Sequence, residues 1–191
     1  MNRFIEIIKY TWKAKGRHGI HSPFVYDLVD ICFRIPVSKK IYDRVAKKMD
    51  LPRSSVRLLL QLCKHLNYSQ IITNITEINE LKTSIQQGGF SADVVYKEEM
   101  GIQKMETSPT LIFMRCDSVT GSIFEKVSEM TPFLDENTFV ILCGIRNNRN
   151  SWNEWNRLVS FSSLHFTADM NEQGILSKRS FQEKEHFVLR Y

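Results

Sequence analysis

The stretch Thr110-Leu-Ile-Phe-Met-Arg-Cys116 runs apolar residue after apolar residue, without the polar alternation of a strand that keeps one face in water. An unbroken run of this length is the pattern of a strand in a parallel sheet with helices on both faces. Thr138-Phe-Val-Ile-Leu-Cys-Gly144 repeats it, and between the two a helix is predicted over 120–131, ending before Pro132. Upstream, Gln70–Ile75 and Ala92–Lys97 predict two further strands around a helix over 77–87 that Gly88 and Gly89 close. Downstream, a helix over 150–160 begins near Ser151. Three strand-like pieces follow, Leu164–Met170, Ile175–Lys178 and His186–Tyr191, with no room for helices between the last ones. That tail is expected to be antiparallel. Strand–helix alternation ending in a hairpin predicts an α/β, Rossmann-like, mostly parallel sheet.

Ahead of the first strand the period is helical. Phe4, Ile7, Ile8, Thr11 and Trp12 recur at i, i+3/i+4 spacing and give one apolar face over residues 2–15. Ser22-Pro23 predicts a capped helix over 23–33, since serine can accept from free amides and proline at the first position forfeits no bond. Ser38 opens a third helix with Ile41, Val45 and Met49 inward and Lys39, Lys40, Arg44, Lys47 and Lys48 outward. Asp50-Leu-Pro52 breaks it. A fourth helix over 53–67 sets Val56, Leu59, Leu60, Cys63 and Leu66 on one side and stops at Asn67. The expectation is one domain over 1–191, with a helical extension over 1–67 and a Rossmann-like core over 68–191.

The 191 residues, 42% hydrophobic and 25% charged, exclude a disordered or fibrous chain. No segment approaches the roughly 20 apolar residues of a membrane span, and the N-terminus lacks a secretory leader's apolar run, so a cytoplasmic protein without a membrane partner is expected. Cys32, Cys63, Cys116 and Cys143 form no CxxC pair and are read as buried thiols. Charge is uneven: residues 1–66 carry 14 Lys+Arg against 5 Asp+Glu, and 67–191 carry 12 against 16. A basic segment attracts nucleic acid or an acidic partner, or lies against the acidic remainder of its own chain.

Lys13-Ala-Lys-Gly-Arg-His-Gly-Ile-His-Ser-Pro-Phe-Val-Tyr-Asp-Leu-Val29, the closing His186-Phe-Val-Leu-Arg-Tyr191 and Thr110-Leu-Ile-Phe-Met114 together carry a resemblance. The chain resembles, nearly end to end, a class I S-adenosylmethionine-dependent methyltransferase family of Bacteroidetes, related to the catechol O-methyltransferase-like enzymes. The first of these segments is similar to the one that precedes that family's catalytic domain, and the other two are similar to its closing and fourth strands. The resemblance implies a methyltransferase fold and an S-adenosylmethionine site.

Against that pattern several positions depart. The family's first strand ends in an acid and a glycine-rich turn, because glycine lets the backbone close on the cofactor. Here the turn is Thr73-Asn-Ile-Thr-Glu-Ile-Asn79, with Thr73 at the acid's place and Ile75 and Asn79 at glycines'. The ribose carboxylate at the end of the second strand would be Glu98 or Glu99. About a dozen residues separate these from Thr110, too few for a helix–strand–helix crossover, so one βα unit is expected to be missing. Where metal-dependent relatives of the resembled family place acids, this chain has Arg115 and Cys143-Gly144; Asp117 follows closely, and no metal is expected.

The candidate cofactor-binding residues are therefore Thr73, Asn74, Thr76 and Glu98, with no catalytic residue assigned. His18 and His21 beside Arg17 read as packing around a turn or as a partner contact. Trp152 and Trp155, with Asn147, Asn148, Arg149 and Asn150 upstream, read as a helix packed on a sheet or as a base-stacking surface. No GxSxG, Walker A or HExxH pattern occurs. The expected function is a methyltransferase-like protein that has lost catalysis and serves as a binding or regulatory module, with a protein partner or a second copy of itself. Two further readings stand beside it. One is an active, metal-independent methyltransferase in which Asn74, Thr76 and Glu98 hold S-adenosylmethionine; the other is a nucleic-acid-binding module built on the basic N-terminal helices.

Overall fold

The buried apolar runs become strands that meet in one seven-stranded sheet of order β2-β1-β3-β4-β6-β5-β7. The computed structural model describes residues 3–15, 22–97, 110–119 and 121–191, with the backbone alone for 3–7. The strands are β1 (Gln70–Thr73), β2 (Asp93–Tyr96), β3 (Thr110–Arg115), β4 (Phe139–Cys143), β5 (Phe166–Asp169), β6 (Gln173–Ser177) and β7 (Glu185–Val188). The helices are α1 (Arg3–Lys13), α2 (Pro23–Asp30), α3 (Lys39–Lys48), α4 (Arg53–Leu66), α5 (Ile78–Gln87), α6 (Ile123–Met130) and α7 (Arg149–Ser160). Each lies where the sequence period predicts it, within a few residues at the ends.

Alternate residues of β3 and β4 point to opposite faces, and both faces are covered. Leu111, Phe113, Phe139 and Ile141 join a core built with α2, α3, α4 and α5. Ile112, Met114, Val140 and Leu142 join a second core under α6 and α7. This two-sided burial is why the central runs lack polar alternation. The same demand shapes α4, which buries Val56, Leu58, Leu59, Leu60, Leu62 and Cys63 and is therefore enclosed on more than the one side that its period suggests.

Local stops behave as their chemistry requires. Asn67 ends α4 in the left-handed region at φ 50°, and Gly89 follows α5 at φ 84°. Asn148 caps α7 by accepting from the Ser151 N–H at 2.8 Å, so the helix begins slightly before Ser151. Ser22, expected to cap α2 with its hydroxyl, makes no side-chain cap; its carbonyl instead accepts from the Tyr26 N–H at 2.9 Å. The segment 23–33 divides into α2 and a short 3₁₀ turn over Cys32–Arg34.

The C-terminal tail corrects an expectation. β5 and β6 form the antiparallel hairpin, and β6 inserts antiparallel between β4 and β5. Both edges of β6 are thereby filled, so β7 pairs on the outer side of β5, parallel to it, rather than antiparallel to a tail neighbour. Its own outer edge meets Lys15, whose N–H donates to Val188 O at 2.8 Å while Arg190 N–H donates to Lys15 O at 3.0 Å. That contact covers an edge that would otherwise be open to pairing with other chains. At the other end, β2 and β3 flank β1, and no strand lies outside β2 among the described residues, as expected of a fold lacking one βα unit.

The apolar stripe of α1 is a second correction. Ile8, Thr11 and Trp12 face solvent, Trp12 with 89% of its surface exposed, while Tyr10 and Ala14 make the inward contacts. The physical reason is the Tyr10 hydroxyl, which donates to Leu189 O at 2.5 Å and sets the helix rotation.

Two substitutions test this packing. A methyl group on Gly174 would lie 2.3 Å from the Trp155 ring. Gly174→Ala is therefore expected to lose about 1–3 kcal/mol in urea unfolding. Glu154 is the second. Burial works against its charge, but bonds from the Ser122 hydroxyl, the Phe124 N–H and Arg157 prevail and hold its carboxyl below the usual carboxylate range. A lowered carboxylate contributes fully above the ordinary value of about 4.3, and that contribution is lost as pH falls through the folded value. Glu154→Gln is expected to lower Tm at neutral pH and to flatten the fall in Tm on acidification below about pH 4.3.

Candidate functional site

Open α/β sheets bind ligands beyond the carboxyl ends of their parallel strands. Here that edge is formed by Thr73, Arg115 and Cys143, at the ends of β1, β3 and β4. Arg115 sits between two cavities. One of about 310 Å³ is lined by Asp50, Pro52, Asp117, Cys143 and Asn147 along with Arg115 itself. The other, about 200 Å³, is lined by Asn74, Thr76, Glu77, Tyr96 and Ser118, again with Arg115.

The Arg115 guanidinium is held from three directions. Its Nε donates to Asp117 Oδ1 at 2.7 Å, and its terminal nitrogens reach Asp50 Oδ2 and Met49 O, each at 3.3 Å. The Asp117 hydrogen bond is the main cause of a raised guanidinium pKa. One cation thus stands between two carboxylates, from the loop after α3 and the turn after β3. Among the described residues no group of three or more His, Cys, Asp or Glu side chains converges as a metal site.

The predicted cofactor residues are distributed as follows. Thr73 is buried, and its hydroxyl accepts from the Ile75 N–H at 3.2 Å, which folds the turn back on the strand. Asn74 uses both ends of its amide on β3: Nδ2 donates to Arg115 O at 3.1 Å, and Oδ1 accepts from Arg115 N–H at 2.9 Å. A side chain here extends the β1–β3 ladder by one rung. Ile75 is buried in the core beside α5, and Thr76 is exposed with its hydroxyl on Glu77. Glu98 and Glu99 lie outside the described residues, as do Arg17, His18 and His21. Tyr96, at the end of β2, lines the smaller cavity; sequence reading passed over it because a tyrosine in a short strand is ordinary.

The two tryptophans lie in packing contacts, while Asn147, Asn148, Arg149 and Asn150 upstream of them are exposed. Trp155 is buried against Gly174. Trp152 covers the Arg146 guanidinium, 4.1 Å from ring to cation. Arg146 itself makes a buried, two-pronged pair with Asp169 at 2.7 and 2.5 Å and donates to Asn171 O at 2.6 Å. Tyr10 of α1 lies 5.6 Å from the same guanidinium. The thiols are silent: burial pushes Cys32, Cys63 and Cys143 up to about 12 and Cys116 higher still, so none is a thiolate near neutral pH. On the basic helices, Arg44 and Lys48 pair with Glu80 of α5 at 3.5 and 2.7 Å, and Arg53 pairs with Asp43 at 3.4 Å. Part of the basic excess is therefore answered within the chain.

Chemically, this edge offers hydrogen-bonding and charged groups of both signs. Among its described residues it presents no activated nucleophile and no histidine. Among the described residues no helix is long and apolar enough to cross a membrane.

No family model matches the chain, and no curated protein matches it. Among solved structures it is similar to a methyltransferase from Geobacter sulfurreducens, at 14% identity and a TM-score of 0.50, over 84% of this chain and 97% of that one. Together with the sheet order and the antiparallel β6 inserted between β4 and β5, that likeness shows a methyltransferase-like, Rossmann-like α/β fold.

Proposed function

We propose that this chain is a methyltransferase-fold protein without methyl-transfer activity, serving as a binding or regulatory module. The observation that carries the reading is Asn74. The turn that would cradle S-adenosylmethionine spends its amide on the β3 backbone, and Ile75 fills the adjacent core. A cavity of about 200 Å³ beside that turn is below the roughly 300–1,000 Å³ of ordinary small-molecule sites. The guanidinium of Arg115 and its bonds to Asp50 and Asp117 stand between this space and the larger cavity. These residues do not fit a nucleotide cofactor bound in the usual way, so no reaction step is routed through one. The partner is then another protein or a second copy of the chain.

Thermal unfolding with and without S-adenosylmethionine and S-adenosylhomocysteine tests the proposal, with calorimetric titration as a check. No shift is expected at millimolar ligand. Binding at 100 times Kd would add about 2.7 kcal/mol, roughly 5–10 °C for a chain of this size. A shift of that order overturns the proposal in favour of an active methyltransferase. Asn74→Ala is expected to cost about 1–3 kcal/mol of stability by stripping partners from the Arg115 backbone groups. A substitution without effect in chemical unfolding would remove the structural role on which the reading rests.

A further inference from the structure

At the end of the sheet opposite Arg115, a cavity of about 330 Å³ opens between α2, the end of α4 and the start of β4. Phe24, Leu66, Tyr68 and Phe139 make its apolar wall, with Phe24 stacked on Phe139 at 5.5 Å between ring centres. Its polar members are Asp27, Asn137 and Arg179. Asp27 is engaged by His65 Nε2 at 2.5 Å, and the Tyr68 hydroxyl donates to Asn137 O at 3.3 Å.

Arg179 is the member left over. Its guanidinium stacks on the Phe24 ring at 3.8 Å and lies 4.7 Å from Phe181, while Nε donates to Gln182 Oε1 at 3.1 Å. Among the described residues no carboxylate pairs with it and no acceptor is bonded to its terminal nitrogens. The acid whose field it feels, Glu136, is already occupied by the N–H and hydroxyl of Ser180. Burial pushes the Arg179 pKa down, the reverse of the paired Arg115. Its backbone lies at φ 36°, a left-handed conformation that disfavours a non-glycine residue. Strained residues of this kind gather at ligand clamps, and a guanidinium whose terminal nitrogens are unbonded keeps donors for an anion.

We propose that this cavity binds a small carboxylate carrying an apolar, ring-sized body. The carboxylate takes the two terminal nitrogens of Arg179 in the planar fork that guanidinium offers. The body lies against Phe24, Leu66 and Phe139. The volume suits such a ligand, at the lower end of the usual range. An inorganic anion satisfies the charge and leaves the aromatic wall unused, whereas an amino acid adds an ammonium that Asp27 can meet. The proposal is independent of the edge around Arg115, because the two sites lie at opposite ends of the strands.

Calorimetric titration of the full chain with phenylacetate, phenylalanine, phenylacetamide and inorganic phosphate tests it. Phenylacetate or phenylalanine is expected to bind, with the uncharged phenylacetamide at least tenfold weaker. Arg179→Gln is expected to weaken the carboxylate at least tenfold. Leu66→Trp, which fills the cavity and leaves Arg179 intact, is expected to do the same, so a folding defect in one variant does not decide the matter. Tighter binding of phenylalanine than of phenylacetate supports the site and assigns Asp27 to the ammonium. Any of three results overturns the proposal: no heat with either carboxylate at tens of millimolar, binding that survives Arg179→Gln, or phosphate binding as tightly as phenylacetate.

Discussion

Strands β3 and β4 have no face left for water, and the architecture follows from that constraint. Phe113 and Ile141 must be covered on one side of the sheet, Met114 and Leu142 on the other. Helices α6 and α7 supply one cover. The other comes largely from α2, α3 and α4, so the helical segment before the first strand supplies half of the core. Removing it would expose the rows of Ile71, Phe113 and Ile141, an apolar area that no marginally stable domain can leave in water. The near-complete enclosure of α4 expresses the same constraint from the helix's side.

Charge is handled in the same inward manner. Arg115 lies between Asp50 and Asp117, Arg146 is locked to Asp169, and Arg44 and Lys48 of the basic half meet Glu80 of the acidic half. A buried two-pronged pair such as Arg146–Asp169 does little for net stability once desolvation is counted, but breaking one partner leaves an uncompensated charge. Its position matters more than its energy. It joins the loop after β4 to the end of β5 beneath Trp152 and Tyr10, and so relates α1 to the sheet. Arg179 departs from this pattern, half-buried and stacked on Phe24 with no carboxylate bonded to it among the described residues.

At the carboxyl edge of the sheet, where open α/β sheets bind ligands, the residues of the first turn serve the fold. Asn74 continues the β1–β3 ladder, Thr73 closes its own turn, and Ile75 is core. Along the same edge, burial holds the Cys116 and Cys143 thiols protonated.

Periodicity alone determined the helices, the central strands and the two-layered core, because hydrophobic spacing records which side of an element is buried. The dozen residues between β2 and β3 likewise disclosed an absent unit, since chain length bounds what a crossover can contain. Tertiary structure decided the rest. Insertion of β6 beside β4 pushed β7 to the far edge of β5, a competition for hydrogen-bonding edges that no local pattern encodes. The rotation of α1 was set by a hydroxyl reaching Leu189, which left Trp12 in solvent. Asp50, part of a helix stop in the sequence, is a partner of Arg115, and Arg179, which no sequence pattern marks, is the charged wall of a cavity. In each case the deciding contact joins residues far apart in the chain. Spacing states that a side chain is buried or exposed, and only the folded chain states against what.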